Sequence, residues 1–140
     1  MQSVEISGLK EIQKKLEGYP EAMKKARGEF FEEAGRQLLG AVQRRIGGTG
    51  RVAGVQDRYL GSGKGYAAVR AMAKTELNGY TAGYVTNALE NGHIDRSGEG
   101  RVSGLYMYHM TAAADLPRLA EAGAREIEKK AMAYLEGGET

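Results

Sequence analysis

The sequence contains no cysteine and no tryptophan, and only two of its 140 residues are proline. Without cysteine the chain forms no disulfide and no thiolate zinc site, which fits folding in a reducing compartment. It also lacks the run of about 18 apolar residues that marks a membrane helix. The first residues do not combine a basic start with an apolar run, so they do not resemble a secretory signal. These absences favour one globular domain spanning residues 1–140, with no membrane segment.

A large excess of charge is absent as well, because the formal net charge is only +2. This balance does not by itself indicate a nucleic-acid-binding protein. The charge is unevenly distributed, however. Residues 44–74 hold seven basic residues and one acidic residue, a net +6, so the rest of the chain carries −4. Such asymmetry often marks a binding surface. The candidates for contact with a partner protein or with DNA are Arg44, Arg45, Arg51, Arg58 and Lys64; Arg70 and Lys74 complete the basic set.

Glycine, by contrast, is abundant: 21 residues of 140, about twice the usual share of ~7%. Seven of these glycines lie between Gly47 and Gly65, in a stretch that is basic and poor in apolar residues. We therefore predict that residues 47–65 form a long flexible loop, and that residues 91–104 form a second one. The run "GSGKGY" within the first loop is not a P-loop, because Gly65 takes the place of the metal-binding hydroxyl.

Hydrophobic spacing predicts helices at both ends of the chain. Val4–Ile6 suits a short strand, and a short helix then follows and ends at Gly18. Pro20 suits the first turn of a second helix, whose apolar residues keep the helical period as far as Ile46. The last helix is predicted to begin near Asp115, with proline in its first turn.

Three strands are predicted between the long helices, at Tyr66–Ala73, Tyr80–Glu90 and Gly104–Met110. The Asn-Gly pair within Leu77–Tyr80 favours a hairpin turn between the first two strands. The predicted fold class is therefore α+β: a small antiparallel sheet packed against two long helices, with a short N-terminal helix and a long glycine-rich loop.

The stretch "GYVTNALENGH" contains the residue types that most invite a chemical interpretation. Glu90, His93 and Asp95 have side chains that bind metals or exchange protons. Their spacings are not distinctive, and no neighbouring residue is placed to orient a base. We therefore predict no catalytic residue, no metal and no cofactor. The many tyrosines of this half suit a protein interface. Stacking on single-stranded nucleic acid is less favoured, because no recognisable binding motif frames them.

Four stretches together resemble a known family. "VEISGLKEIQKKLEGYP" is similar to the start of the tail-completion, or neck, proteins of tailed bacteriophages, the gene-product-ten-like minor tail proteins. "TGR" at Thr49–Arg51 resembles the motif that opens that family's long loop. "ALENGH" at Ala88–His93 resembles its strand that ends in an acidic residue. "YMYHMTAA" at Tyr106–Ala113 resembles the stretch before its last helix. The resemblance spans nearly the whole chain, although each motif is short.

This resemblance implies a structural role in the virion and no enzymatic activity. Members of the family lie at the head–tail junction and form rings, usually of six copies, around the DNA channel. The implied partners are other copies of the chain, neighbouring neck, head–tail adaptor, tail terminator or tail tube proteins, and non-specifically the DNA in the channel. The implied location is the virion, assembled in the bacterial cytoplasm. A tail terminator ring, or a bacterial nucleic-acid-binding regulator that uses the basic segment, is the alternative.

A ring of identical subunits needs heterologous contacts, in which one patch of a subunit meets a different patch of the next. We predict that the strand ending in "ENGH" supplies one such patch. Glu90 would pair or hydrogen-bond across it, and Gly92 would allow close backbone approach. The candidate contact residues are Tyr84, Asn87, Glu90, Asn91, Gly92 and His93.

Overall fold

A computed structural model of the chain describes residues 2–95 and 97–137, with side-chain surroundings from residue 17 onward. Helices dominate at 64%, and the strands form two-stranded antiparallel sheets, which confirms the α+β class. The described helices are α1 (Gln2–Ile46), α2 (Ala82–Asn91), α3 (Met107–Ala114) and α4 (Leu116–Leu135). The described strands are β1 (Gln56–Leu60), β2 (Ala67–Ala71), β3 (Glu76–Leu77), β4 (Tyr80–Thr81), β5 (Gly92–Ile94) and β6 (Arg101–Ser103). They pair β1–β2, β3–β4 and β5–β6, so the single sheet that we predicted is replaced by three separate hairpins.

Helix α1 runs without a break for 45 residues, a length of about 68 Å at 1.5 Å per residue. The predicted strand at Val4–Ile6 and the predicted break between Gly18 and Pro20 are therefore wrong. Tertiary packing explains the continuity near Pro20. The Tyr19 ring lies 6.0 Å from the Tyr134 ring of α4, and Tyr134 also covers Gly18. Packing of this kind holds a helix together where local propensity disfavours it.

Helices α1 and α4 pack antiparallel. Tyr19 of α1 contacts Tyr134, near the C-terminal end of α4. At the other end of the pair, Arg45 of α1 forms an ion pair with Asp115, immediately before α4. Between these points the Phe30 ring lies directly on Gly123, and Lys130 Nζ donates to Glu29 Oε2 at 2.8 Å. The α1–α4 pair thus forms a helical layer that supports the rest of the fold.

The region predicted as a flexible loop, residues 47–65, is largely ordered into short elements. It contains 3₁₀ turns at Thr49–Arg51 and Ala53–Val55, the whole of β1, and a third turn at Ser62–Lys64. Val52 and Val55 are buried in the core and anchor the segment against the end of α1. The prediction was wrong because burial of Val52 and Val55, three residues apart, stabilises this segment more than its glycines destabilise it. The second predicted loop, residues 91–104, likewise contains the β5–β6 hairpin.

Two predicted strands are helices in the structure. Within Tyr80–Glu90 only the first two residues form a strand, and Thr81 then caps α2 by accepting the Tyr84 N–H at 3.2 Å. Within Gly104–Met110 the helix α3 begins at Met107. β-Branched and aromatic residues made both segments resemble strands, but their burial follows a helical period.

Other predictions agree with the structure. Strand β2 lies within Tyr66–Ala73, and α4 begins immediately after Asp115. The Asn-Gly turn forms at Asn78 and Gly79, both with positive φ as this turn requires. It joins β4 to the short strand β3, however, whereas β2, the predicted partner strand, pairs with β1. No helix within residues 2–95 or 97–137 is both long and apolar enough to cross a membrane.

The core lies where the C-terminal end of α1 meets α2, α3 and the short elements that follow α1. Its buried apolar residues are Val42, Ile46, Val52, Val55, Leu77, Ala82 and Met107. These residues come from five different segments, so the core fixes the position of α2 and α3 relative to α1.

The contact between Gly123 and Phe30 gives a first test of the helical layer. A Cβ at position 123 would overlap the Phe30 ring, so Gly123→Ala should lower the free energy of unfolding by about 1–3 kcal/mol. Gly40→Ala is the matched control, since its Cβ would meet only the end of the Arg44 side chain. Helix propensity should make this control up to about 1 kcal/mol more stable. Urea denaturation followed by circular dichroism measures both, and equal stabilisation would contradict the packing.

Candidate functional site

Helix α2 divides the predicted contact residues between its two faces. Positions four residues apart point into the protein and are buried; these are Ala82, Thr86 and Glu90. Positions three and four residues apart on the other side are exposed; these are Tyr84, Asn87 and Asn91. A strand would have placed Tyr84 and Glu90 on the same face, whereas the helix separates them. Three of the predicted residues therefore share an outer stripe, and the predicted acid does not.

The outer stripe of α2 is aromatic at one end and amide-rich at the other. Tyr84 stacks on Tyr80, with ring centroids 5.5 Å apart and planes inclined by 17°, although both side chains are more than half exposed. At the other end Asn91 Nδ2 donates to Asn87 Oδ1 at 2.7 Å. The sequence analysis missed Tyr80 as a site residue. Its spacing of four from Tyr84 would have signalled it only if the segment had been interpreted as a helix.

Gly92 and His93 lie at the start of β5. Gly92 has φ +87° and ends α2, and a Cβ there would collide with the Val102 carbonyl oxygen of β6. The close backbone approach predicted at Gly92 thus occurs within the chain. His93 pairs with Val102 across the hairpin and its side chain is exposed.

Glu90 has a structural task inside the protein. Its Oε2 accepts the backbone N–H of Tyr108, in the first turn of α3, at 2.7 Å. Helix α3 has no capping side chain of its own, because its N-cap is Tyr106 in the left-handed conformation, φ +51°. A carboxylate at this end also complements the helix dipole. The N–H groups of Leu105 and Tyr106 in turn donate to the carbonyls of Leu89 and Glu90. The end of α2 and the start of α3 therefore satisfy each other's free backbone groups.

A buried polar network extends from this junction. The Tyr108 hydroxyl donates to Gln56 Oε1 of β1, and Gln56 Nε2 donates to Thr86 Oγ1 of α2 at 2.9 Å. Burial, followed by the nearby negative charge of Glu90, raises the pKa of Tyr108 to about 12. The other carboxylate oxygen of Glu90, Oε1, is buried and accepts no hydrogen bond from the residues that the structure describes. This unpaired oxygen is the unusual chemical feature of the network.

The three residues weighed as metal ligands or as an acid–base pair are not assembled into a site. Glu90 points inward while His93 is exposed on β5. Asp95 accepts hydrogen bonds from the side chain and backbone of Ser97, and the Ser97 hydroxyl is the main cause of its lowered pKa. No group of three or more His, Cys, Asp or Glu in the described ranges could hold a metal ion.

Arg45, one of the basic candidates, connects three helices. Its Nη1 donates to Thr111 Oγ1 of α3 at 2.9 Å and to Asp115 Oδ2, immediately before α4. This hydrogen bond is the main reason why the pKa of the Asp115 carboxyl is lowered. Arg45 therefore stabilises the fold, and the large sequence separation from Asp115 hid this partner from sequence analysis.

Two more of the basic candidates bond to α1. Arg58 Nη1 donates to the Glu32 carbonyl oxygen at 2.6 Å, and Lys64 forms an ion pair with the Glu32 carboxylate. Arg44 and Arg51 are exposed, and neither has an ion-pair or side-chain hydrogen-bond partner in the described part of the chain. The basic excess of residues 44–74 is thus partly used to attach β1 and its loop to α1.

The cap formed by Glu90 can be tested by thermodynamics. Glu90→Ala should lower the free energy of unfolding by about 1–3 kcal/mol, because the Tyr108 N–H loses its acceptor. Glu90→Gln keeps an acceptor oxygen and should cost less. Glu128→Ala, an exposed substitution on α4, should change stability by less than about 0.5 kcal/mol. If chemical denaturation gave the same result for Glu90→Ala and Glu128→Ala, Glu90 would not be a cap.

The raised pKa of Tyr108 predicts how stability depends on alkaline pH. A phenol whose folded pKa is about 12, against about 10 when unfolded, stabilises the fold fully below pH 10. This contribution should be lost as the pH rises from 10 to 12. The stability difference between the native protein and Tyr108→Phe should therefore shrink over that window, measured by urea denaturation at successive pH values. A difference that stayed constant to pH 12 would contradict the assignment.

No family model matches this chain, and no curated protein or solved structure matches it either.

Proposed function

We propose that the chain is a structural protein of a tailed bacteriophage or phage-tail-like particle. It would lie at the neck, complete the tail and join it to the head, as one subunit of a ring around the DNA channel. The four sequence stretches that resemble the neck family suggest this role. The surface of the folded chain supports it independently, because that surface has the character expected of a subunit covered by neighbours.

The observation that carries the proposal is the concentration of exposed apolar side chains in one part of the chain. Among the side chains described from residue 17 onward, eight of the eleven exposed large hydrophobic residues fall between β4 and the start of α4. They are Tyr80, Tyr84, Ile94, Val102, Leu105, Tyr106, Met110 and Leu116. Single exposed apolar residues are ordinary, but a concentration of them marks an interaction surface.

Helix α3 shows the same property at the level of one element. Met107 and Thr111 face the core and are buried. The outer side carries Tyr106 and Met110, both about half exposed, with the exposed His109 between them and exposed alanines after them. Most of this outer side is apolar, and an apolar side of a helix is normally buried. The outer side of α3 is therefore suited to burial against another protein chain.

The β5–β6 hairpin also suits a contact with a neighbour. Its strands have three residues each, and Ile94 and Val102 are exposed on it. A two-stranded hairpin is marginal in water, and its outer edges offer free backbone groups for pairing. The adjoining outer stripe of α2, with Tyr84 and Asn87, extends this surface. Tyrosine is enriched in such interfaces.

Deletion of the gene in the producing strain tests the proposed function. Electron microscopy should show filled heads separate from tails if the protein joins the two. Tails of abnormal length would instead indicate a terminator role. Normal, joined and infectious particles would exclude both roles, and binding of DNA by the basic segment would then be measured for the regulator alternative.

Complementation of the deletion with variants tests whether the outer side of α3 is needed. Met110→Asp should reduce the titre of joined particles at least tenfold, because a carboxylate would be buried in the contact. Met132→Asp on α4 is the matched control, since the two methionines are 52% and 55% exposed, and it should complement normally. Equal titres for both variants would remove α3 from the contact. Circular dichroism of each purified variant checks that it folds.

A further inference from the structure

Glu90 Oε1 and Arg51 are opposite charges that lack partners within the described chain, and they suggest how neighbouring copies meet. We propose that Arg51 of one copy enters the pocket between α2 and β2 of the next copy and pairs with the Glu90 carboxylate there. This inference rests on the proposed ring, and it names the partner as a second copy of this chain.

The pocket that would receive the cation contains a buried hydrogen-bond acceptor, Glu90 Oε1, to which no described group donates. Its lining residues are Val69, Arg70 and Ala71 from β2, Gly83, Thr86, Asn87 and Glu90 from α2, and Tyr108 from α3. Glu90 is only 9% exposed, and its Oε1 accepts no hydrogen bond from the described residues. A buried carboxylate oxygen in this state is unfavourable unless a donor reaches it, and a cationic donor is the most favourable kind.

Oε1 is fully buried in the isolated chain, so an entering side chain must displace residues that also line the pocket. Two of these, Arg70 and Asn87, have exposed side chains that can move. The Arg70 guanidinium lies 4.0 Å from the centre of the Tyr59 ring, and within the described residues it forms no ion pair with Glu90. Binding of the neighbour therefore requires rearrangement of surface side chains and no change of the backbone fold.

Arg51 is the most suitable donor of the basic segment. Four of the seven basic residues contact groups of the same chain; they are Arg45, Arg58, Lys64 and Arg70. Arg51 is exposed and has no partner among the described residues, and its φ is +62°. Lys74 shares these properties, with φ +58°, but it carries an ammonium, and the Arg44 guanidinium lies back along α1 beside Gly40. A guanidinium also matches a carboxylate better than an ammonium does.

The two halves of this contact have the properties of a heterologous interface. Arg51 follows α1, the pocket lies between α2 and β2, and they share no residue. Each copy would thus present an exposed arginine to one neighbour and a pocket with an unpaired carboxylate oxygen to the other. Such a contact repeats from copy to copy and closes into a ring.

The natural absence of cysteine allows a direct test by disulfide cross-linking. A chain with both Arg51→Cys and Asn87→Cys, oxidised in particle-producing cells and as concentrated purified protein, should give a ladder of multimers on non-reducing gels. A mixture of the two single variants should give dimers and no higher species. The control chain pairs Asn87→Cys with Arg125→Cys, at another exposed arginine, on α4, and should give no ladder.

A charge test complements the cross-linking. Arg51→Glu should lower the incorporation of the protein into particles at least tenfold, while Arg125→Glu should leave it within twofold. The inference would be overturned if the Arg51→Cys, Asn87→Cys chain gave no ladder either in particle-producing cells or as purified protein. An equal ladder from the Arg125→Cys control chain would overturn it as well. So would cross-linking within single chains, or Arg51-dependent binding of a DNA duplex without a ladder.

These outcomes separate this inference from the proposed function. Defective particles after gene deletion, with no ladder, would keep the neck role and remove the Arg51–Glu90 contact. A ladder together with normal particles after deletion would keep the contact and remove the neck role.

Discussion

The hydrogen bond between the Glu90 carboxylate and the first turn of α3 joins α2 to α3, two helices that the β5–β6 hairpin separates in the sequence. It joins the end of α2 to the start of α3, where backbone N–H groups also bond to the last carbonyls of α2. Through Tyr108 and Gln56 the same junction reaches β1 and returns to α2. Together with the burial of Met107 in the core and the hydrogen bond from Arg45 to Thr111, it fixes the direction in which α3 leaves the β5–β6 hairpin.

This constraint also decides which residues reach the surface. Because Glu90 is directed inward, helical geometry places Tyr84, Asn87 and Asn91 outside. The segment that contains glutamate, histidine and amides thus forms a structural inner face and a separate outer stripe. A catalytic interpretation would need Glu90 and His93 on a common face, whereas an assembly surface needs only the outer stripe and the apolar hairpin and helix beside it.

The distribution of charge gains a clearer meaning in the folded chain. Arg45, Arg58 and Lys64 hold the segments after α1 against the long helix and against the start of α4. Arg51 remains exposed, and its own backbone has a positive φ that glycine would adopt more easily. The basic segment therefore contains side chains that attach it within the chain, and the exposed Arg51, which the proposed contact between copies would use. The proposed ring needs both, since a rigid subunit positions its contacts better than a flexible loop does.

The sequence by itself determined the α+β class, the helix after Asp115 and the Asn-Gly turn, because each depends on local periodicity or on local backbone preference. It also predicted Tyr84, Asn87 and Asn91 as surface candidates, although from the wrong secondary structure. Only the tertiary structure decided that α1 continues through Pro20, that α2 and α3 are helices, and that Glu90 is buried. The physical reason is that these outcomes depend on partners distant in sequence: Tyr134 beside Gly18, and Tyr108 beside Glu90. Packing and capping by such partners outweigh the β-propensity of a short segment.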